Sequence, residues 1–269
     1  MSTTSTVTPQ DMADALKALR DRPPLVQCLT NIVVAGWTAN VLLAVGAAPA
    51  MVDNPQEAGE FAAIAGGLLI NLGTPYDETT RAMHLAVAGA SQSGTPWVLD
   101  PVAAGALGWR TNVAHQLLHH GRPAITRGNA SEILALAGGE GGRGVESIDS
   151  PEFAVAVAKD LAQQQHSVIA VSGPTDHITD GSQVARLSNG HPWLTRVTGV
   201  GCALGALMAA FAAVVPDALV AAAAATATLT VAADSAAKET RGPGSFAVTL
   251  LDELSLLQPA DLAERVWIS

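Results

Sequence analysis

The chain has little of what most soluble enzymes use freely. Aromatic residues make up 4% of its 269 positions and charged residues 14%, so neither large rings nor ion pairs dominate its packing. Positive charge is scarcest: 14 Lys+Arg face 24 Asp+Glu, leaving a net charge of −10. No basic cluster interrupts that balance, which argues against nucleic acid as a partner. Two cysteines, Cys28 and Cys202, are too few for a disulfide framework and suit a reducing cytoplasm. The opening MSTTSTVTPQ has no basic n-region and no apolar h-region, so no signal peptide is read there.

What is abundant is small. The chain holds 51 alanines and 25 glycines within a 49% hydrophobic composition, which suits close packing of helices on a sheet. Low charge with so many apolar residues excludes disorder. Glycine without a three-residue period excludes a collagen-like repeat. The most apolar stretch, Ala203–Ala233, is divided by Pro216-Asp217 into pieces of 13 and 16 residues. Each falls short of the roughly 20 needed to span a bilayer, so two buried helices and no membrane partner are expected.

Short apolar runs alternate with helical spacing along the chain. Strands are predicted at Pro24–Thr30, Ala50–Asp53, Gly67–Leu72, Trp97–Val102, Pro123–Thr126 and Ser167–Ser172. Helices are predicted at Ala35–Gly46, Pro55–Ala65, Tyr76–Ala90, Asn112–His120, Ser131–Ala137 and Phe153–Gln165. Such alternation indicates an α/β fold whose parallel sheet is covered on both faces. Three pieces of Asp176–Val197, DHITDG, QVARLSNG and HPWLTRV, read as short antiparallel strands at one edge. From Gly201 onward the pattern is helical, ending with Phe246–Leu257 and Pro259–Val266. No linker, repeat or change of composition divides the chain.

Polar residues gather just past the strand cores: Thr30-Asn31, Asp53-Asn54, Asn71, Asp100, Arg127-Gly128-Asn129 and Ser172-Gly173. Open parallel sheets bind ligands outside the carboxyl ends of their strands. Strands also end in turn-forming Asn, Asp and Gly for purely local reasons, but Arg127 is no turn former. There is no P-loop motif. A GxGxxG at Gly139, Gly141 and Gly144 follows a helix rather than a strand, so it lacks the context of a dinucleotide site.

Thr198–Cys202 (TGVGC) opens the alanine-rich helix. Its glycines allow close backbone approach, and its free N–H groups suit an anion. The helix dipole there would lower the Cys202 pKa and make it a base or nucleophile. The bland alternative is a turn before a buried helix, with Cys202 in the core. Asn129-Ala130-Ser131-Glu132 places two oxygen-bearing side chains at a strand–helix junction. They suit Mg²⁺ bound through water near Asp100, or a capping box, or both. His115, His119 and His120 share a helix face without further ligands and read as solvated. Cys28 reads as a small core residue. Met51 reads as core or as a soft wall for a small heterocycle.

Taken together, PLVQCLTNIVVAGWTANVLLAVGAAPAM, GGLLINLGT, WVLDPVAAGA, ITRGNASEI and SNGHPWLTRVTGVGC resemble the hydroxyethylthiazole kinase family of thiamine salvage. That family lies within the ribokinase-like superfamily, and the resemblance runs from about Pro24 to Leu257. It implies a single ribokinase-like kinase domain over residues 1–269, a three-layer sandwich with a mostly parallel central sheet. It implies transfer of phosphate from ATP to the primary hydroxyl of 4-methyl-5-(2-hydroxyethyl)thiazole. By the same resemblance, Met51, Gly199 and Asn31 contact the thiazole, and Arg127, Ser172 and Gly201 contact ATP. Asp100 and Glu132 match acidic residues associated with Mg²⁺, and Cys202 stands where relatives carry a catalytic Asp. The resemblance also implies a cytoplasmic homotrimer with sites at subunit interfaces.

Five positions depart from the family pattern. Gln27-Cys28 replaces a frequent His-Asn, and Val200 replaces the alanine of TGAGC. Ser172 replaces a threonine but keeps the hydroxyl, whereas Pro174 replaces a commonly acidic residue. Two other reactions on the same fold compete: a kinase of a pyrimidine or pyridine methanol, and an ATP-dependent NAD(P)H-hydrate dehydratase. The Met51 and Asn31 segments favour a small heterocycle over a nucleotide substrate. A binder without catalysis is disfavoured by the presence of Asp100, Arg127, Glu132 and Cys202 together.

Overall fold

Five of the predicted strand segments become the centre of one sheet. The computed structural model describes residues 7–138 and 151–269. Strands β1 (Leu25–Leu29), β2 (Ala48–Ala50), β3 (Gly67–Asn71), β4 (Trp97–Asp100), β5 (Ile125–Asn129) and β6 (Val168–Ser172) are mutually parallel. Strands β7 (Asp176–Thr179) and β8 (Val184–Leu187) add antiparallel at one edge. The sheet order is β2-β1-β3-β4-β5-β6-β7-β8. The chain therefore reverses its direction of growth between β1 and β3, and a crevice opens there at the strands' carboxyl ends.

Helices cover both faces. One apolar cluster joins the sheet to α1 (Pro9–Asp21), α2 (Ala35–Val45), α8 (Val200–Ala212), α9 (Ala218–Lys238), α10 (Pro243–Leu256) and α11 (Pro259–Arg265). The opposite cluster holds α3 (Ala58–Ile64), α4 (Asp77–Ser93), α5 (Gly108–His120), α6 (Ala130–Leu136) and α7 (Pro151–Gln165). The result is the expected three-layer α/β sandwich.

Three expectations need correction. The HPWLTRV piece is not a strand but a 3₁₀ turn over Pro192–Arg196. Pro192 has no N–H to give a ladder, and the His191 ring accepts from Trp193 N–H at the turn's start. β2 forms at Ala48–Ala50 rather than at Ala50–Asp53, because its register with Leu25–Gln27 ends at Ala50. The 16-residue apolar piece belongs to a helix, α9, of 21 residues, so by length and composition it could cross a membrane. Its environment decides the matter: 78% of its apolar window is buried inside the molecule. Thr226 and Thr230 in its interior donate to the carbonyls of Ala222 and Thr226, which satisfies both hydroxyls within the helix.

Helix α1 was not expected from the sequence, although its signals are there. Thr8 and Asp11 form a reciprocal capping box, and Met12, Leu16 and Leu19 bury one face. The GxGxxG glycines at 139, 141 and 144 lie outside the described residues.

Candidate active site

A buried polar chain crosses the carboxyl ends of the central strands. Asn71 ends β3, Asp100 ends β4, and the two are partners in register. Asn71 is 1% exposed in a strand otherwise made of glycine and aliphatics, so its amide must be satisfied internally. Its Oδ1 accepts from the Gly73 backbone N–H at 3.0 Å, which fixes which end of the amide is which. Its Nδ2 then donates to Asp100 Oδ2 at 2.7 Å. Asn31, past the end of β1, donates from Nδ2 to Asn71 Oδ1 at 3.0 Å and to Cys202 Sγ at 3.3 Å. The bond between Asn31 and Asn71 spans the β1/β3 crevice.

On the other side of Asp100, Arg127 reaches up from β5. Its Nη1 contacts Asp100 Oδ2 at 3.3 Å and its Nη2 donates to Ser172 Oγ at 2.8 Å. Burial acts to lower the Arg127 pKa, but Asp100 and Glu132 outweigh it and hold the guanidinium above its ordinary value. Burial pushes Asp100 up to about 6, against the charge of Arg127. Asp100 Oδ1 is buried with no hydrogen-bond partner, an acceptor fit for a hard cation.

Glu132 is committed differently. It forms a capping box with Asn129, accepting from Asn129 N–H at 2.9 Å through Oε2. Its Oε1 accepts from Ala103 N–H at 2.9 Å, and Ala103 sits at φ 64, where alanine is strained. Glu132 thus braces the loop that follows Asp100. Any cation it serves would be reached through water or through its remaining lone pairs. Among the described residues no group of three or more His, Cys, Asp or Glu is placed to chelate a metal. Magnesium needs only one or two carboxylates when phosphates and water complete its shell.

Helix α8 begins above Arg127. Gly199 caps it at φ 86, and no side chain accepts from its first N–H groups. A Cβ on Gly201 would lie 3.0 Å from Arg127 Nη1, so the guanidinium runs directly beneath helix backbone. Uncapped N–H groups, the positive helix end and Arg127 converge on one spot suited to phosphate. The Cys202 pKa is not lowered, as the helix dipole had suggested, but raised. Burial is the main cause and Asp100 adds to it, whereas Asn71, Arg127 and Asn31 favour the thiolate. Cys28 is wholly buried and pushed up to about 12, as a core thiol should be. His120 packs edge-on against His84 rather than joining a ligand set with His115.

Beside Ser172 lies a cleft of about 770 Å³, lined by Asn129, Leu134, Val155, Pro174, His177 and Arg186 among others. Asp176, the first residue of β7 next to the cleft-lining Thr175 and His177, accepts from Gly173 N–H at 3.1 Å. Burial pushes Asp176 up to about 6. Asn31, Asp100, Arg127, Ser172, Gly201 and Cys202 are thus brought together. Gly199 packs against Val34 and Trp37 instead, and Met51 lies outside the hydrogen-bonded chain, 37% exposed after β2. Asn71 and Asp176 had been given no role. The signal for Asn71 was an amide inside a continuous apolar strand.

The profile of the hydroxyethylthiazole kinase family matches residues 16–260. The chain belongs to that family. It is 58% identical to a hydroxyethylthiazole kinase from Clavibacter sepedonicus, over 96% of this chain and 94% of the relative. Among solved structures it is similar to the hydroxyethylthiazole kinase protein of Pyrococcus horikoshii OT3, at 38% identity. The TM-score is 0.89, covering 96% of this chain and 98% of that one. A ribokinase-like superfamily protein from Enterococcus faecalis shares the fold at 14% identity, with TM-score 0.64 over 96% of this chain and 92% of that one. Membership of the hydroxyethylthiazole kinase family makes the chain a kinase, and its sheet and helices are those of the ribokinase-like fold.

Proposed function

We propose that this chain transfers the γ-phosphoryl group of ATP to the primary hydroxyl of 4-methyl-5-(2-hydroxyethyl)thiazole. The observation that carries the reading is the continuous chain Cys202–Asn31–Asn71–Asp100–Arg127–Ser172. It links a side chain able to take a proton to a guanidinium bonded to Ser172, which lines a nucleotide-sized cleft. ATP occupies the cleft beside Ser172, with its phosphates toward Arg127 and the N–H groups of Gly201 and its neighbours. Phosphoryl transfer asks mainly for positioning and charge neutralisation, which these groups supply. Asp100, and Glu132 through water, would hold Mg²⁺, which shields the phosphate charge when bound. Met51, Asn31 and Gly199 border the thiazole.

Cys202 Sγ receives the proton of the substrate hydroxyl. Burial raises its pKa, so the thiolate that serves as the base becomes more abundant as pH rises. The rate constant kcat should therefore climb with pH across the mildly alkaline range and flatten above the thiol pKa. Cys202→Ala should lose that rise along with most of the activity; a flat wild-type profile would remove Cys202 from the role of base.

The family resemblance supports the rest of the assignment: one kinase domain over residues 1–269, a cytoplasmic location, and a homotrimer with sites at subunit boundaries. The direct test is ATP consumption with a panel of small heterocyclic alcohols. Turnover is expected with the thiazole alcohol. Turnover of a pyrimidine methanol and none of the thiazole alcohol would refute the assignment.

A further inference from the structure

We infer that Gln27 is a positioning residue for substrate selection: from inside the sheet it clamps the segment that carries Met51. This rests on the reading of Met51 as a wall of the thiazole pocket. Gln27 sits in β1, directly opposite Ala50 of β2, and is completely buried. Its Nε2 donates to two backbone carbonyls, Val52 at 2.9 Å and Ala58 at 3.1 Å. Both partners can only accept, so the NH₂ end of the amide must face them. The Oε1 end is left buried with no partner.

The two acceptors belong to very different surroundings. Ala58 opens α3, which is pressed against α4 so closely that a Cβ on Gly89 would lie 2.1 Å from the Gly59 carbonyl. That end of the clamp cannot shift. Val52 is the residue after Met51, in the turn between β2 and α3, where Met51, Asp53 and Asn54 are all exposed. Gln27 therefore ties a solvent-facing turn to a fixed helix through one side chain. Strand β2 is three residues long and at the sheet edge, so its own ladder gives the turn little additional support.

The position is poorly chosen if stability is the only requirement. A buried amide oxygen without a donor is destabilising, and an apolar side chain of the same length would avoid that penalty. What the glutamine adds, and methionine would lack, is the hold on Val52. A stability role would act on both substrates through the fold, whereas a positioning role acts on the thiazole site alone, so one substitution separates them.

Gln27→Met keeps length and approximate volume and removes both donors. It should raise KM for the thiazole alcohol about tenfold. The KM for ATP should hold, and the melting temperature should fall little, because the unpaired oxygen that is removed offsets part of the two lost bonds. Met51→Ala should raise the same KM, and in the double variant the two effects should not multiply, because both act through one wall. An unchanged thiazole KM in Gln27→Met, with Met51→Ala responsive, overturns the clamp alone. So does a fall in melting temperature that raises both KM values together. No response to Met51→Ala overturns the thiazole-wall reading and the clamp with it.

Discussion

Arg127→Ala is expected to reduce kcat/KM for ATP on the order of 10³-fold and to destabilise the fold by about 3 kcal/mol. The two losses have one origin. Arg127 is 7% exposed and is the counter-charge of Asp100, which is fully buried. Without the guanidinium, Asp100 must take up a proton or remain charged in a dry environment. Either outcome spoils a carboxylate meant for a cation. Ser172 also loses its donor, and the phosphates lose the positive group beneath α8. Arg127→Lys should recover part of the stability and little of the activity, since one ammonium cannot reach Asp100 and Ser172 in the same fork. Steady-state kinetics and thermal unfolding of the two variants check this. Unchanged nucleotide affinity in Arg127→Ala would mean that the phosphates lie elsewhere.

Gly199→Ala should be nearly as damaging without removing any polar group. Gly199 stands at φ 86, where a side chain costs roughly 1–2 kcal/mol. The new methyl would also lie 2.3 Å from Val34 Cγ1. Val34 is buried and β-branched, so it has no alternative place to go. The turn must move instead, and it carries the first N–H groups of α8 with it. A displacement near 1 Å at that point is expected to lower kcat/KM about 10²-fold. Activity within about twofold of wild type would show that the α8 start does not touch the reacting phosphate.

The residues explain why some of this was legible in the sequence and some was not. Strands such as GLLIN and WVLD are buried along their whole length, so continuous apolar runs marked them. Arg127 was conspicuous because no local turn chemistry calls for an arginine after Ile125-Thr126. Its bond to Ser172 joins residues 45 apart and follows from strand order alone, which short-range patterns do not contain. Cys202 was placed at the right helix end, but the sign of its pKa shift was not foreseeable. The dipole is local, whereas the burial that outweighs it comes from distant parts of the chain. Glu132 offered two readings, and its oxygens turn out to serve the backbone of Asn129 and Ala103. The Gln27 clamp had no sequence signal, since its acceptors are backbone carbonyls that any residue could supply.

The alanine layer has a thermodynamic side as well. In α9 nine of the fifteen buried residues are alanine, and in α8 four of ten are. A methyl group surrenders no rotamer freedom when it is buried, whereas a leucine or methionine gives up some of its own. Each alanine also removes less apolar surface from water, so the gain per residue is small. About half of the support beneath the phosphate turn is therefore held by small contacts with no side-chain entropy set against them. Such a layer has few alternative packings to visit, and this keeps the start of α8 in one place between turnovers.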